Sequence, residues 1–177
     1  MKRIAPVLLL LLSLVFAASA QKTTVTKSKI TFEIKNLGIK TGGSIGGVQA
    51  NIQFNPANLL ASSIEATADV KTINTDNDER DSHLKSEDFF EMARYPKITM
   101  NSVSFSKKGS NYVGKFNVTI KNKTKQLDVP FSYVQSGNTE TFKGTLKLNR
   151  LDFGVGDSSL VLSNDVTVNI EIEASKS

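Results

Sequence analysis

The chain has 177 residues, with 22 Lys plus Arg against 17 Asp plus Glu, one His and no Cys, and a formal net charge of +5. So small a basic excess, with no basic run interleaved with aromatics, argues against a nucleic-acid partner. Without Cys there is neither a disulfide nor a cysteine to be lipidated, and a zinc centre would have to be almost all carboxylate, so the chain must hold together by its core.

The first element in chain order reads as an export leader over residues 1–20. Lys2 and Arg3 form a basic start, Ala5–Phe16 is an apolar run, and Ala18-Ser19-Ala20 supplies the small residues of a cleavage site before Gln21. The run falls short of the ~20 apolar residues that span a bilayer, so no transmembrane segment is expected. Removal would leave residues 21–177, roughly 157 in number with a charge near +3, which is the size of one domain. A leader followed by no cysteine points to a periplasmic or secreted protein.

Strand period dominates the chain beyond the leader. Ile30, Phe32 and Ile34 share one parity, as do Val48, Ala50, Ile52 and Phe54, and then Ile64, Ala66, Ala68 and Val70. Between Met100 and Val103 the apolar parity flips, which predicts a bulge. Alternation resumes at Phe116-x-Val118-x-Ile120, then Leu127, Val129, Phe131 and Tyr133, then Phe142, Leu146 and Leu148, and finally Val166 to Ile172. Turns are expected at Gly42-Gly43, Gly46-Gly47, 108–111, 136–138 and Gly154 with Gly156. About eight antiparallel strands, apolar on one side, call for an all-β sandwich or closed barrel.

One stretch breaks the pattern: NDERDSHLKSEDFFEMARYP, residues 77–96, is dense in charge and holds the only histidine. It predicts two short helical turns, one capped by Thr75 and one by Ser86, with Phe89, Phe90 and Ala93 as an apolar face. Asp76, Asp78 and Glu87 have calcium-loop spacing, but Arg80 and Asp81 stand where a ligand and the turn glycine are needed. Asp81 and His83 are two residues apart and point apart on a helix, and no G-x-S-x-G elbow supports a nucleophile. Arg80, Asp81 and His83 are then either a structural clasp, a head-group site or catalysts; the first is favoured and no catalytic residue is assigned. Inward aromatics leave a similar choice, because an eight-stranded barrel is just wide enough to be filled by side chains or to hold one small ligand.

The fragments INTDNDERDSHLKSEDFFEMARYPKITM (73–100), NRLDFGVG (149–156) and ITFEIKNLGI (30–39) together resemble the YceI-like polyisoprenoid-binding family. The resemblance implies a single domain over 21–177: a lipocalin-like closed antiparallel β-barrel whose apolar interior accommodates a polyisoprenoid, an isoprenoid quinone or a fatty-acid-like lipid. It implies no catalytic activity and no cofactor, and it makes residues 77–96 a lid or end-plug. Combined with strand parity, it nominates Phe32, Ile52, Phe54, Phe89, Phe90, Met100, Phe116, Phe131, Tyr133 and Phe153 as wall and lid. Arg80, Asp81, His83 and Arg150 are the polar clasp or head-group residues. The expected function is that of a carrier, against an isoprenoid-modifying enzyme or a filled structural barrel. The expected partner is a small lipid, with a second copy in a homodimer also open.

Overall fold

Alternating apolar side chains fold this chain into eight long strands, and the computed structural model describes residues 23–176; the expected leader at 1–20 lies outside the described residues. The strands are β1 (Thr23–Asn36), β2 (Ile39–Gln53), β3 (Ser63–Asn74), β4 (Lys97–Lys108), β5 (Asn111–Ile120), β6 (Lys123–Ser136), β7 (Thr139–Asn149) and β8 (Leu162–Lys176). Each pairs antiparallel with the next, and β8 returns to β1 with registers from Thr23↔Lys176 to Asn36↔Leu162, closing the barrel. Closure leaves no free sheet edge. A 15-residue strand such as β2 or β8, rising ~3.3 Å per residue and tilted by ~40°, gives a bore on the order of 35–40 Å.

The barrel has two unlike poles. At one lie the β1–β2 turn, the 75–96 segment with α1 (Asp78–Lys85), the β5–β6 turn and the 150–161 loop. At the other lie the 54–62 loop, the two remaining hairpin turns, Thr23 and Lys176. Pairing is not uniform: β6 and β7 are registered from Phe131↔Gly144 to Ser136↔Thr139, and their halves nearer α1 bond to β5 and β8 instead.

The parity flip after Met100 is a bulge, since Ser102 pairs with Phe116 but Ser104 with Lys115, turning Val103 out and Phe105 in. The glycine pairs are a correction: Gly42, Gly43, Gly46 and Gly47 lie inside β2, and the turn is Leu37-Gly38. Here glycine serves close backbone approach. A Cβ on Gly43 would stand 2.3 Å from the Asn74 carbonyl oxygen, and Gly47, at φ +62, bends β2 where its register with β3 shifts. The helix also starts later than expected. Asn77, not Thr75, caps α1 by accepting from Arg80 N at 2.8 Å, and Ser86 ends it, followed by turns with Ala93 exposed.

Candidate ligand-binding site

The size of inward side chains decides where the barrel is full. Towards the pole opposite α1, Phe54 follows β2 into the bore, and its ring centre lies 5.5 Å from Phe105, 5.1 Å from Tyr112, 5.5 Å from Phe131, 4.8 Å from Tyr133 and 5.7 Å from Phe142. Those rings come from β4, β5, β6 and β7, so Phe54 crosses the barrel and floors it. Each such edge or tilted pair contributes about 0.5–1.5 kcal/mol beyond its burial. Beyond the floor, inward Glu140 is fully buried, accepting from the Tyr133 hydroxyl at 2.6 Å and pairing with Lys176 Nζ at 2.7 Å.

Above the floor the inward residues of β2 and β3 shrink to Ala50, Ala66 and Ala68, with Gly42 on β2 and Gly144 on β7, and a cavity of about 440 Å³ opens. That falls within the ~300–1,000 Å³ of small-molecule sites. Its wall is almost wholly aliphatic and aromatic, with Phe32, Ile52, Met100, Phe116 and Phe131 among its residues.

Residues 75–96 close the other end. The amides of Phe90 and Met92 bond to the carbonyls of Leu84 and Lys85, at 3.0 Å each, so the chain folds back under α1. This turns half-buried Phe89 and Phe90 onto the core and into the cavity roof, with Leu84 beside them. A clasp holds the segment's start: buried Asp81 accepts from Thr75 N at 2.9 Å and Oγ1 at 2.6 Å, while Arg80 donates from Nε to Thr75 Oγ1 and from Nη2 to Thr75 O. Lys121 holds its far side, 3.8 Å from Glu91 and donating to the Gly154 carbonyl at 3.2 Å.

Arg150 organises the loop facing the lid. It is buried and donates to the carbonyls of Ser163, Val155 and Asp157 and to Asn164 Oδ1, at 2.7–3.3 Å. Burial pushes its guanidinium below the usual arginine range, opposed by Asp157. Asn36, Thr41, Thr67, Thr75, Arg80, His83 and Arg150 supply the polar side chains of the cavity lining.

Of the nominated wall and lid residues, Phe32, Ile52, Phe89, Phe90, Met100, Phe116 and Phe131 line the cavity. Phe54, Tyr133 and Phe153 do not: the first two belong to the floor, and Phe153 packs in the core at 1% exposure. Among the polar four, Asp81 is turned into the clasp, and exposed His83 stands outside it, 3.3 Å from Asp88 and edge-on to Phe89 at 4.9 Å. Sequence reasoning missed Thr75 as the hub of the clasp and the Lys121–Glu91 tie. The N-cap pattern at Thr75 was a usable signal; position 121 offered none.

A closed antiparallel β-barrel with a floor, a lid and an apolar chamber between them defines a lipocalin-like barrel. The family model described as the YceI-like domain matches residues 22–174, and the chain belongs to that family. A UPF0312 protein of Vibrio cholerae is 28% identical over 175 residues, covering 90% of this chain and 91% of the relative. Among solved structures, Burkholderia cenocepacia BcnA matches with a TM-score of 0.80 at 26% identity, covering 84% of this chain and 96% of that one. A polyisoprenoid-binding domain from Saccharophagus degradans, implicated in plant cell wall breakdown, shares the fold with a TM-score of 0.72 at 12% identity, covering 89% and 99%.

Proposed function

We propose that this protein is an exported, non-catalytic carrier that holds one polyisoprenoid, or a similar long apolar amphiphile such as an isoprenoid quinone, inside the barrel. The observation that carries this reading is the floored and lidded chamber of about 440 Å³, whose wall is almost entirely hydrocarbon. Each methylene moved from water into such a wall is worth about 0.8 kcal/mol, so a few isoprene units supply several kcal/mol before ordering costs. The tail points to the Phe54 floor, and the head lies at the mouth among Arg80, His83 and Thr75. The polyisoprenoid-binding domain that shares the fold supports the ligand class, and the leader pattern over residues 1–20 supports export.

The test is organic extraction and mass spectrometry of protein purified from its native host, beside Ala66→Phe, which fills the chamber from β3. A polyprenol or isoprenoid quinone is expected in the parent and at least about tenfold less of it in the variant, with the β-sheet signal retained. A parent that carries no lipid and takes up neither polyprenol nor quinone across a concentration series would sink the reading. Fractionation of the host addresses export, for which recovery in the cytoplasm is the contrary result.

A further inference from the structure

We infer that the corner of the mouth at the β1–β2 turn and the start of β8 is a bilayer-docking surface, formed by Leu37, Ile39, Leu160 and Val161. These are four of the seven large apolar side chains exposed among the described residues, at 71%, 71%, 106% and 48%. They meet in one place: the β1–β2 turn carries Leu37 and pairs Asn36 with Ile39, and Leu37 N donates to the Val161 carbonyl at 2.8 Å. The other three, Leu60, Val103 and Val134, lie on three separate elements.

The turn itself is built against its own backbone preference. Leu37 at φ 50 and Gly38 at φ 77 form a two-residue turn of the type in which both central residues have positive φ, and its first position favours Asn, Asp or Gly. A leucine there gains nothing from the protein, since its side chain faces water. Its displayed hydrocarbon finds burial in an apolar medium outside the barrel.

Two further observations select a membrane as that medium. The patch is continuous with the chamber: Asn36 and Thr41 flank the turn, Leu162 comes directly after Val161, and all three line the cavity. A lipid leaving a bilayer at this corner would meet the cavity rim directly. The charges beside the patch do not oppose an anionic interface, because Lys35 and Lys40 flank the turn, Glu33 is already paired with Lys40 at 2.8 Å, and residues 158–164 carry no charge. Asp157 and Asp165 bracket this stretch in sequence, and Asp157 lies beside the Arg150 guanidinium. Apolar tips flanked by lysines suit the headgroup region, where hydrocarbon inserts and cations meet lipid phosphate.

This surface serves the carrier reading, and the test separates the two. Protein freed of the leader, residues 21–177, and its triple variant Leu37→Asn, Ile39→Thr, Leu160→Ser are floated with vesicles of phosphatidylcholine alone and of phosphatidylcholine with phosphatidylglycerol. Asparagine tolerates positive φ, so the variant folds, and circular dichroism checks this. The parent is expected to float with both vesicles, and the variant at least about tenfold less. The variant is also expected to take polyprenol from detergent micelles as the parent does, while taking it from vesicles more slowly. A parent that loads from micelles but stays off both vesicles overturns the docking surface and leaves the carrier standing. A parent that floats but never loads supports docking and sinks the carrier. A parent dimer that the triple variant abolishes, without flotation, assigns the patch to a second copy and overturns the proposal.

Discussion

Gly156 lies so close to Phe89 that a Cβ at position 156 would stand 2.8 Å from the ring's Cε1 and 3.0 Å from Arg150 Nη1. The lid therefore seats on a backbone without a side chain, at φ +66, where glycine is preferred on two independent counts. Gly156→Ala is expected to lift Phe89, lower stability by about 1–3 kcal/mol and shorten the half-life of bound lipid after dilution. Phe89→Ala is expected to act in the same direction, with a stability cost below the ~3–5 kcal/mol of a fully buried phenylalanine because Phe89 is half-buried. Thermal midpoints and lipid retention unchanged in both variants would remove the lid from the account.

Phe54 is expected to set how long a tail the chamber accepts. Its ring closes the bore against five others, so Phe54→Ala joins the space behind it to the chamber, at a cost of about 3–5 kcal/mol. In competition among polyprenols of graded length, the variant is expected to shift its preference to longer chains, and Phe54→Leu to shift it less. An identical length profile in parent and both variants would show that the floor does not measure the tail.

Tyr133 couples the floor to alkaline pH. Burial first, then its hydrogen bond to Glu140 and that residue's charge, raise its phenol well above the ordinary value. A raised folded-state pKa stabilises fully below the unfolded value of about 10, and that stability is lost as pH rises above it towards the folded value. The parent's denaturation midpoint is therefore expected to fall above about pH 10, and Tyr133→Phe to remove part of that slope. At neutral pH the variant is expected to lose about 1–2 kcal/mol, at the low end for a bond to a charged acceptor because Tyr133 is only partly buried. Superimposable midpoint-against-pH curves would contradict the coupling.

Strand alternation made the barrel legible, because period-two burial is a local property that most of the eight segments display by themselves. The glycines of β2 misled because a residue without a Cβ serves a turn and a close strand crossing equally well; only the Asn74 carbonyl beside Gly43 separates the two. The division between chamber and floor was hidden for a different reason. Ile52 and Phe54 have the same inward parity and are two residues apart, at and just past the end of β2, yet one lines the cavity and the other floors it. That difference depends on the volume of side chains arriving from β4 to β7. His83 lines the cavity but stands outside the clasp, because proximity to Asp81 in sequence says little about which side chain turns to Thr75.

The registration of Thr23 with Lys176 puts both ends of the described chain side by side at the floored pole. A short linker between them, with new termini cut at the Gly109-Ser110 turn of the same pole, would give a circular permutant whose lid and mouth are untouched. Two barrels fused end to end through that pole would likewise present their openings in opposite directions. The barrel can thus be anchored by its floored pole to a surface, a bead or another barrel with the lidded pole left clear.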